Sequence, residues 1–356
     1  MTALTRSLTS IATPVLDALT WPHGPDRYLQ QLNPAWGLRE VRVEVTAIRH
    51  PTPGCATLLL RPNRAWRGFS AGQHVQLAVE IDGALRRRCY SVVTSEHDRS
   101  GLLELTVHAE PDGRVSNQLQ RLRRGAVLGL SQAQGPFTLP SPRPDRMLLI
   151  SGGSGITPVM SMLRTLRDEG RAGSVTFLHY ARGAADVAYR EELDALAESG
   201  VRVLRSYTRS GGGELSGRFD PSHVDGLGDV PAWVCGPASL VESVRAQWTG
   251  PARLRTEYFT PPTPVAVPDD GEPHGEVEFA GSGKRVANTG APLLEQAEAA
   301  GLKAEFGCRM GICFSCTRRK TAGTVRQLNT GALSTEPDSD IQLCVTVPVG
   351  DVRIDL

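Results

Sequence analysis

Long apolar runs are absent from this chain of 356 residues. None approaches the ~18 residues that a transmembrane helix needs, and no charged start followed by an apolar core marks a secretory signal. An excess of either charge is absent too: 39 Lys+Arg face 38 Asp+Glu, a formal net charge of +1. That balance excludes a mainly electrostatic nucleic-acid binder and a polybasic membrane protein. No internal repeat, catalytic triad or metal-hydrolase motif is present. The expected compartment is the cytoplasm, where a disulfide framework would be unusual for a chain of this size.

What is present points to several strand-rich domains. Apolar residues make up 40% of the chain, enough for globular cores, and 37 glycines with 25 prolines exceed the usual share of about 12%. At roughly 100–200 residues per domain, two or three domains are expected. Residues 1–38 are poor in strand pattern and read as a helical extension. Residues 39–143 carry short β-branched or alternating runs at 40–48, 56–61, 74–81, 87–94, 102–109 and 126–131, separated by turn signals. Six strands at that spacing predict an antiparallel sandwich or β-barrel. Residues 144–259 alternate strand with helix, which predicts an α/β domain built on a parallel sheet. The segment 260–274 is a Pro-rich, semi-rigid linker. Residues 275–356 form a small α+β module, with a hairpin at 275–288, a helix over 292–300 with proline first, and a late strand at 341–347.

The seven cysteines are unevenly placed. Cys308, Cys313 and Cys316 stand four and two residues apart, and Cys344 follows 27 residues later, the spacing of a plant-type 2Fe–2S site. One iron takes the first two thiolates and the other the last two, so three ligands come from one tight loop. Gly307 and Gly311 let that loop turn its amides toward the sulfurs, and Met310, Ile312 and Phe314 supply a low-polarity surround. A structural zinc site generally uses two separated ligand pairs, which this arrangement does not resemble.

Ser151-Gly152-Gly153-Ser154-Gly155-Ile156-Thr157-Pro158 follows an apolar strand and opens a helix. Glycines let a pyrophosphate approach the backbone, and the helix start supplies free amides. Thr157 is expected as N-cap and Pro158 as first helical residue. Cys235-Gly236-Pro237 ends a second strand at the same edge. In the barrel, Arg88-Cys89-Tyr90-Ser91 can meet phosphate, an aromatic ring and a ring nitrogen in turn. Gly113-Arg114-Val115-Ser116-Asn117 opens another helix, with Ser116 or Asn117 as cap.

These motifs occur in the order found in the ferredoxin–NADP reductase superfamily, which residues 39–259 resemble. Residues 275–356 resemble a plant-type ferredoxin of the β-grasp fold. The run 22–29 with Asn33-Pro34 is similar to bacterial reductases that serve membrane-bound fatty-acyl desaturases. The resemblance implies that Arg88 contacts the flavin phosphate, Tyr90 packs on the isoalloxazine and Ser91 bonds near its reactive nitrogen. It further implies that Gly113, Val115 and Ser116 lie at the FAD pyrophosphate. Gly152, Gly153, Gly155, Thr157, Gly236 and Pro237 would cradle the nicotinamide dinucleotide, and Cys235 would stand beside its ring, so that Ser91 and Cys235 are the catalytic pair. Arg182 and Arg209, around the second and third strands, favour NADPH over NADH; Arg205 lies near them and Asp186 is the acidic counter-candidate.

The function implied is an electron-transfer oxidoreductase. Electrons pass from NADPH through FAD to the 2Fe–2S cluster and on to a terminal oxygen-using enzyme, a fatty-acyl desaturase by the N-terminal similarity. One alternative is an FMN-containing, NADH-dependent reductase of a Rieske-type dioxygenase or monooxygenase; another is a redox-sensing iron–sulfur module. The linker would let the small module visit flavin and partner in turn. Leu16, Leu19, Trp21, Tyr28, Leu29, Leu32 and Trp36 either dock on a membrane partner or cover the body's own apolar surface.

Overall fold

The computed structural model describes residues 20–81, 83–111, 113–227, 230–248, 250, 253–259, 273–328 and 330–356. The linker expectation for 260–272 and the reading of Leu16 and Leu19 lie outside these residues. The chain divides into two compact units, Met1–Leu139 with Met160–Arg171, and Pro140–Val159 with Ala172–Leu356.

Among the described residues of the first unit, the first helix is α1 (Pro25–Leu32). Its Asp26 is buried, and the carboxylate accepts the N–H groups of Leu38, Arg39 and Glu40 at 2.7, 3.0 and 2.7 Å. One carboxylate thus ties the helix to the entry of the first strand. Trp21 and Leu32 are 82% and 78% exposed, Tyr28 and Trp36 are 43% and 52% exposed, and Leu29 is half-buried.

Six strands follow: β1 (Val41–Thr52), β2 (Cys55–Pro62), β3 (His74–Ile81), β4 (Ala84–Ser91), β5 (Leu103–His108) and β6 (Val127–Leu130). They pair in the order β4-β3-β6-β1-β2-β5, all antiparallel, and a Val92–Leu105 bridge joins the two ends into a barrel. Alternation along β1 sends Val41, Val43 and Val45 into a core with Leu58, Leu60, Val75, Leu77 and Leu105. Each such side chain contributes roughly 1.5–3 kcal/mol by leaving water. Helix α2 (Arg114–Gln120) adds Val115 and Leu119 to that core. Its cap is Gly113, not Ser116 or Asn117.

The second unit holds β7 (Met147–Gly152), β8 (Val175–Ala181), β9 (Arg202–Tyr207), β10 (Leu215–Ser216), β11 (Ala232–Gly236) and β12 (Leu254–Tyr258). They form one parallel sheet in the order β10-β9-β8-β7-β11-β12. Strand order therefore reverses between β7 and β11, the place where open α/β sheets bind ligands. Helices α3 (Ile156–Asp168), α4 (Arg190–Glu198) and α5 (Ala238–Gln247) make the crossovers. Thr157 is the second residue of α3, which follows a 3₁₀ turn over Gly153–Gly155; its hydroxyl donates to the Ser154 carbonyl at 3.1 Å, so it is not the N-cap expected from sequence.

The same unit carries a third sheet: β13 (Glu276–Phe279), β14 (Lys284–Ala287), β15 (Thr317–Gln327), β16 (Leu333–Ser334), β17 (Ser339–Gln342) and β18 (Thr346–Ile354). Its order is β14-β13-β18-β15-β16, with β17 also on β15; β13 and β18 run parallel and the other pairs antiparallel. Helix α6 (Leu293–Ala299) packs its Leu293, Leu294 and Ala297 into the sheet's core, and Pro292 is its N-cap rather than its first residue. The single late strand expected at 341–347 is two strands, interrupted by a 3₁₀ turn over Leu343–Val345.

Candidate functional site

At the switch between β7 and β11, glycines are needed because two loops press together. A Cβ on Gly155 would lie 2.3 Å from the Cys235 carbonyl oxygen, and one on Gly236 would lie 3.0 Å from the Gly152 nitrogen. A Cβ on Gly152 would meet Leu240 Cδ2 at 2.7 Å and Pro237 Cδ at 3.1 Å. These three positions serve the close packing of the two loops and of the start of α5, besides the pyrophosphate approach expected from sequence. Gly153 is different: its φ is +53° and nothing lies within 4 Å of a Cβ there, so it supplies the left-handed turn beside open space. Thr157 is buried beneath the loop.

Cys235 is buried at the end of β11, and burial, with Glu257 nearby, pushes its thiol well up, keeping it protonated. Its Sγ lies 4.0 Å from Oε2 of Glu257, which is buried on the neighbouring β12. Glu257 was not singled out from sequence. Its signal is the parallel register Cys235–Glu257, which a single chain does not reveal. Beneath the first loop, Ser151 Oγ and His179 Nδ1 lie 2.8 Å apart, both buried. Burial, then Arg205, holds His179 down at about 3.

Arg182 and Arg209 are exposed on adjoining loops after β8 and β9, and the Arg209 N–H donates to the Arg182 carbonyl at 3.0 Å. Arg205 is engaged instead: its guanidinium pairs with Asp194 at 2.5 Å and its N–H donates to Glu214. Asp186 ends an exposed 3₁₀ turn over Ala184–Asp186.

In the barrel, β4 presents Arg88 exposed and Tyr90 packed against the core, and burial pushes the Tyr90 phenol up. Ser91 is 3% exposed and its Oγ has no hydrogen-bond partner among the described residues. A buried, orphaned hydroxyl is costly unless a ligand satisfies it, so this end of β4 fits a flavin. Ser116 stands in the first turn of α2. Its hydroxyl donates to the Gly113 carbonyl and accepts from the Glu110 N–H, both at 3.1 Å, while the Val115 side chain is in the core. With that hydroxyl engaged, the polar groups the start of α2 still offers are the backbone amides of its first turn.

The four clustered cysteines come together in pairs. The sulfurs of Cys308 and Cys313 lie within 4.8 Å, and the thiols of Cys316 and Cys344 are hydrogen-bonded to each other. Sharing that bond holds Cys316 down at about 7 and pushes Cys344 up. Backbone N–H groups turn toward sulfur: Cys308 N–H donates to Cys313 Sγ at 3.2 Å and Met310 N–H to Cys308 Sγ at 3.3 Å. The loop reaches this shape through left-handed residues Arg309 (φ 58°), Gly311 (φ 74°) and Phe314 (φ 57°), an uncommon conformation for side chains of that size. A Cβ on Gly307 would lie 2.8 Å from Cys313 Sγ, so that glycine is required. Four soft donors in a 2+2 arrangement, wrapped by N–H groups, fit a 2Fe–2S cluster.

Comparison with known proteins agrees with this geometry. The oxidoreductase FAD-binding domain family matches residues 54–139, the oxidoreductase NAD-binding domain family 149–246, and the 2Fe-2S iron-sulfur cluster binding domain family 277–349. An NADPH oxidoreductase of Mycobacterium tuberculosis is 37% identical over 99% of this chain and 92% of its own. The glycine betaine monooxygenase reductase subunit of Pseudomonas aeruginosa is 31% identical over 81% of this chain and 87% of its own. Among solved structures, phthalate dioxygenase reductase shares the fold with a TM-score of 0.59 at 22% identity, covering 89% of this chain and 98% of that one. No helix among the described residues is long and apolar enough to cross a membrane. The chain belongs to the ferredoxin–NADP reductase superfamily of electron-transfer oxidoreductases, in the branch that joins FAD-binding, NAD-binding and C-terminal 2Fe–2S domains in one polypeptide.

Proposed function

We propose that this protein is the reductase component of an oxygenase system, carrying electrons from NADPH through FAD and a 2Fe–2S cluster to a separate terminal oxygenase. The observation that carries this reading is the 2+2 thiol cradle in the same chain as a dinucleotide crevice. A simple dehydrogenase needs only the crevice; a thiol cradle of this kind serves single-electron transfer. When bound, the flavin converts a hydride into single electrons and the cluster holds one at a time.

The chain's own residues bind and orient. Arg88 would hold the flavin phosphate, Tyr90 would pack against the flavin, and the orphaned Ser91 hydroxyl would bond it. Backbone amides at Gly113, Val115 and Ser116 receive the FAD pyrophosphate. The Gly152–Thr157 turn and Gly236-Pro237 receive the dinucleotide, while Cys235 and Glu257 form a buried polar pair at its nicotinamide end. Arg182 and Arg209 take the 2′-phosphate. Cys308 with Cys313, and Cys316 with Cys344, hold the two irons.

The name of the Mycobacterium tuberculosis relative supports NADPH as donor. That of the Pseudomonas aeruginosa relative supports an oxygenase as acceptor, in preference to the fatty-acyl desaturase suggested by the N-terminal similarity. Anaerobic titration of the reconstituted full chain with NADPH tests the reading. Flavin and cluster absorbance should bleach together, a reduced 2Fe–2S signal should appear by electron paramagnetic resonance, and cytochrome c, as a probe, should be reduced steadily. A chain whose flavin is reduced while the cluster stays oxidised, or which stays colourless, overturns it.

A further inference from the structure

We infer that Gln342 is a positioning residue that sets the reduction potential of the cluster by fixing the peptide at Gly311. The inference rests on the four-cysteine reading above and adds a residue outside the ligand set.

Gln342 ends β17, two residues before Cys344, and is 9% exposed. Its Nε2 donates to the Gly311 carbonyl at 2.8 Å. Gly311 lies between Cys308 and Cys313, directly after Met310, whose N–H donates to Cys308 Sγ. One side chain therefore joins the loop carrying three ligands to the segment carrying the fourth. The anchor is itself fixed: Gln342 pairs in register with Thr317, which follows Cys316.

The physical consequence follows from glycine's freedom. With φ at +74° and no side chain, the Gly311 peptides can reorient at little cost unless something holds them. Reduction adds one electron to the cluster, with no bond broken and no proton required, so the added negative charge must be met by fixed dipoles. N–H groups aimed at ligand sulfurs do this and raise the potential. Without the Gln342 amide, the ligand loop is no longer pinned at Gly311, the Cys308 and Met310 N–H groups lose their fixed aim at the sulfurs of Cys313 and Cys308, and the reduced state loses that stabilisation.

The test uses full-length holoprotein with Gln342→Leu, which removes the donor at similar size, and Gln342→Met as a second variant. Iron and sulfide content, midpoint potential and paramagnetic resonance spectrum of the reduced cluster are measured. The expected result is a cluster present at wild-type stoichiometry, a midpoint moved to lower potential, altered g-values, and a weakened exchangeable-proton coupling. A loaded variant with wild-type midpoint and g-values overturns the proposal. Failure of both variants to take up the cluster also counts against it, because Gln342 would then govern assembly, not potential. If the wild-type protein itself carries no such cluster, it is the four-cysteine reading that fails.

Discussion

The Cys235 carbonyl oxygen stands 2.3 Å from where a Cβ on Gly155 would sit. The atom in the way is main chain, so no side-chain rotation relieves the clash. Gly155→Ala should therefore shift β11 or the 153–155 turn, costing about 1–3 kcal/mol of stability in the nucleotide-binding part. The expected outcome is a lower Tm and a raised KM for NADPH, with the reduced-cluster spectrum unchanged after chemical reduction. An alanine variant with wild-type KM would show that the two loops can part without loss of the crevice.

Ser91 makes the opposite prediction, because its hydroxyl has no partner among the described residues to lose. Ser91→Ala should leave the Tm of the flavin-free protein unchanged or slightly raised, since an unsatisfied buried hydroxyl disappears. Flavin affinity should fall by about 1 kcal/mol, roughly fivefold. Equal flavin dissociation constants for the two proteins would remove Ser91 from the flavin site.

Arg182 and Arg209 sit on bonded, exposed loops at the edge where β8 and β9 end. Hydrogen bonds to charged groups contribute about 1.5–3 kcal/mol. Arg209→Ala and Arg182→Ala should each lower kcat/KM for NADPH by roughly tenfold or more while leaving NADH turnover nearly constant. Arg205→Ala should not change the preference, since that guanidinium is paired with Asp194. A nucleotide preference that survives both loop substitutions places the 2′-phosphate elsewhere.

Much of this was legible from the chain alone, where local pattern and local structure coincide. The strand at 74–81 alternates cleanly and is bounded by turns, and β3 runs His74–Ile81. The four cysteines announce themselves by spacing. By contrast, β15 was missed because Arg318, Arg319 and Lys320 hide its period and Gly323 interrupts it. Lys320 is fully buried, its ammonium donating to the Gly323 and Glu336 carbonyls, so a residue that reads as surface is part of the interior. Glu257 and Gln342 were missed for another reason. Each matters through a partner brought close by sheet register or loop closure, and neither has a local signature.

His179 gives the protein a sign-determined acid sensitivity. Folded, it titrates near about 3, against about 6.5 when unfolded. Between those values the unfolded chain binds a proton that the folded chain excludes, so stability falls as pH drops below about 6.5, by up to about 1.4 kcal/mol per pH unit. Tm measured at pH 7 and pH 5 should therefore fall more for the wild type than for His179→Gln, whose amide does not protonate. Parallel declines would assign the acid lability to other groups.

Removing iron should loosen one part of the molecule and spare another. Cys316 and Cys344 belong to the core cluster of the third sheet, with Leu293, Leu343 and Val345, and the loop between Cys308 and Cys316 has few apolar anchors of its own. Metal–thiolate bonds then supply folding energy that this loop lacks, and they offset the left-handed backbone at Arg309 and Phe314. Chelation under reducing conditions, or Cys344→Ser, should bring new proteolytic cleavage between residues 305 and 317. Dinucleotide binding through the β7–β11 crevice should persist, because that crevice is held by its own glycine contacts. Cleavage that spreads at once to residues 147–258 would mean that the two sheets of the second unit lose structure together, and that the cluster supports more than its own loop.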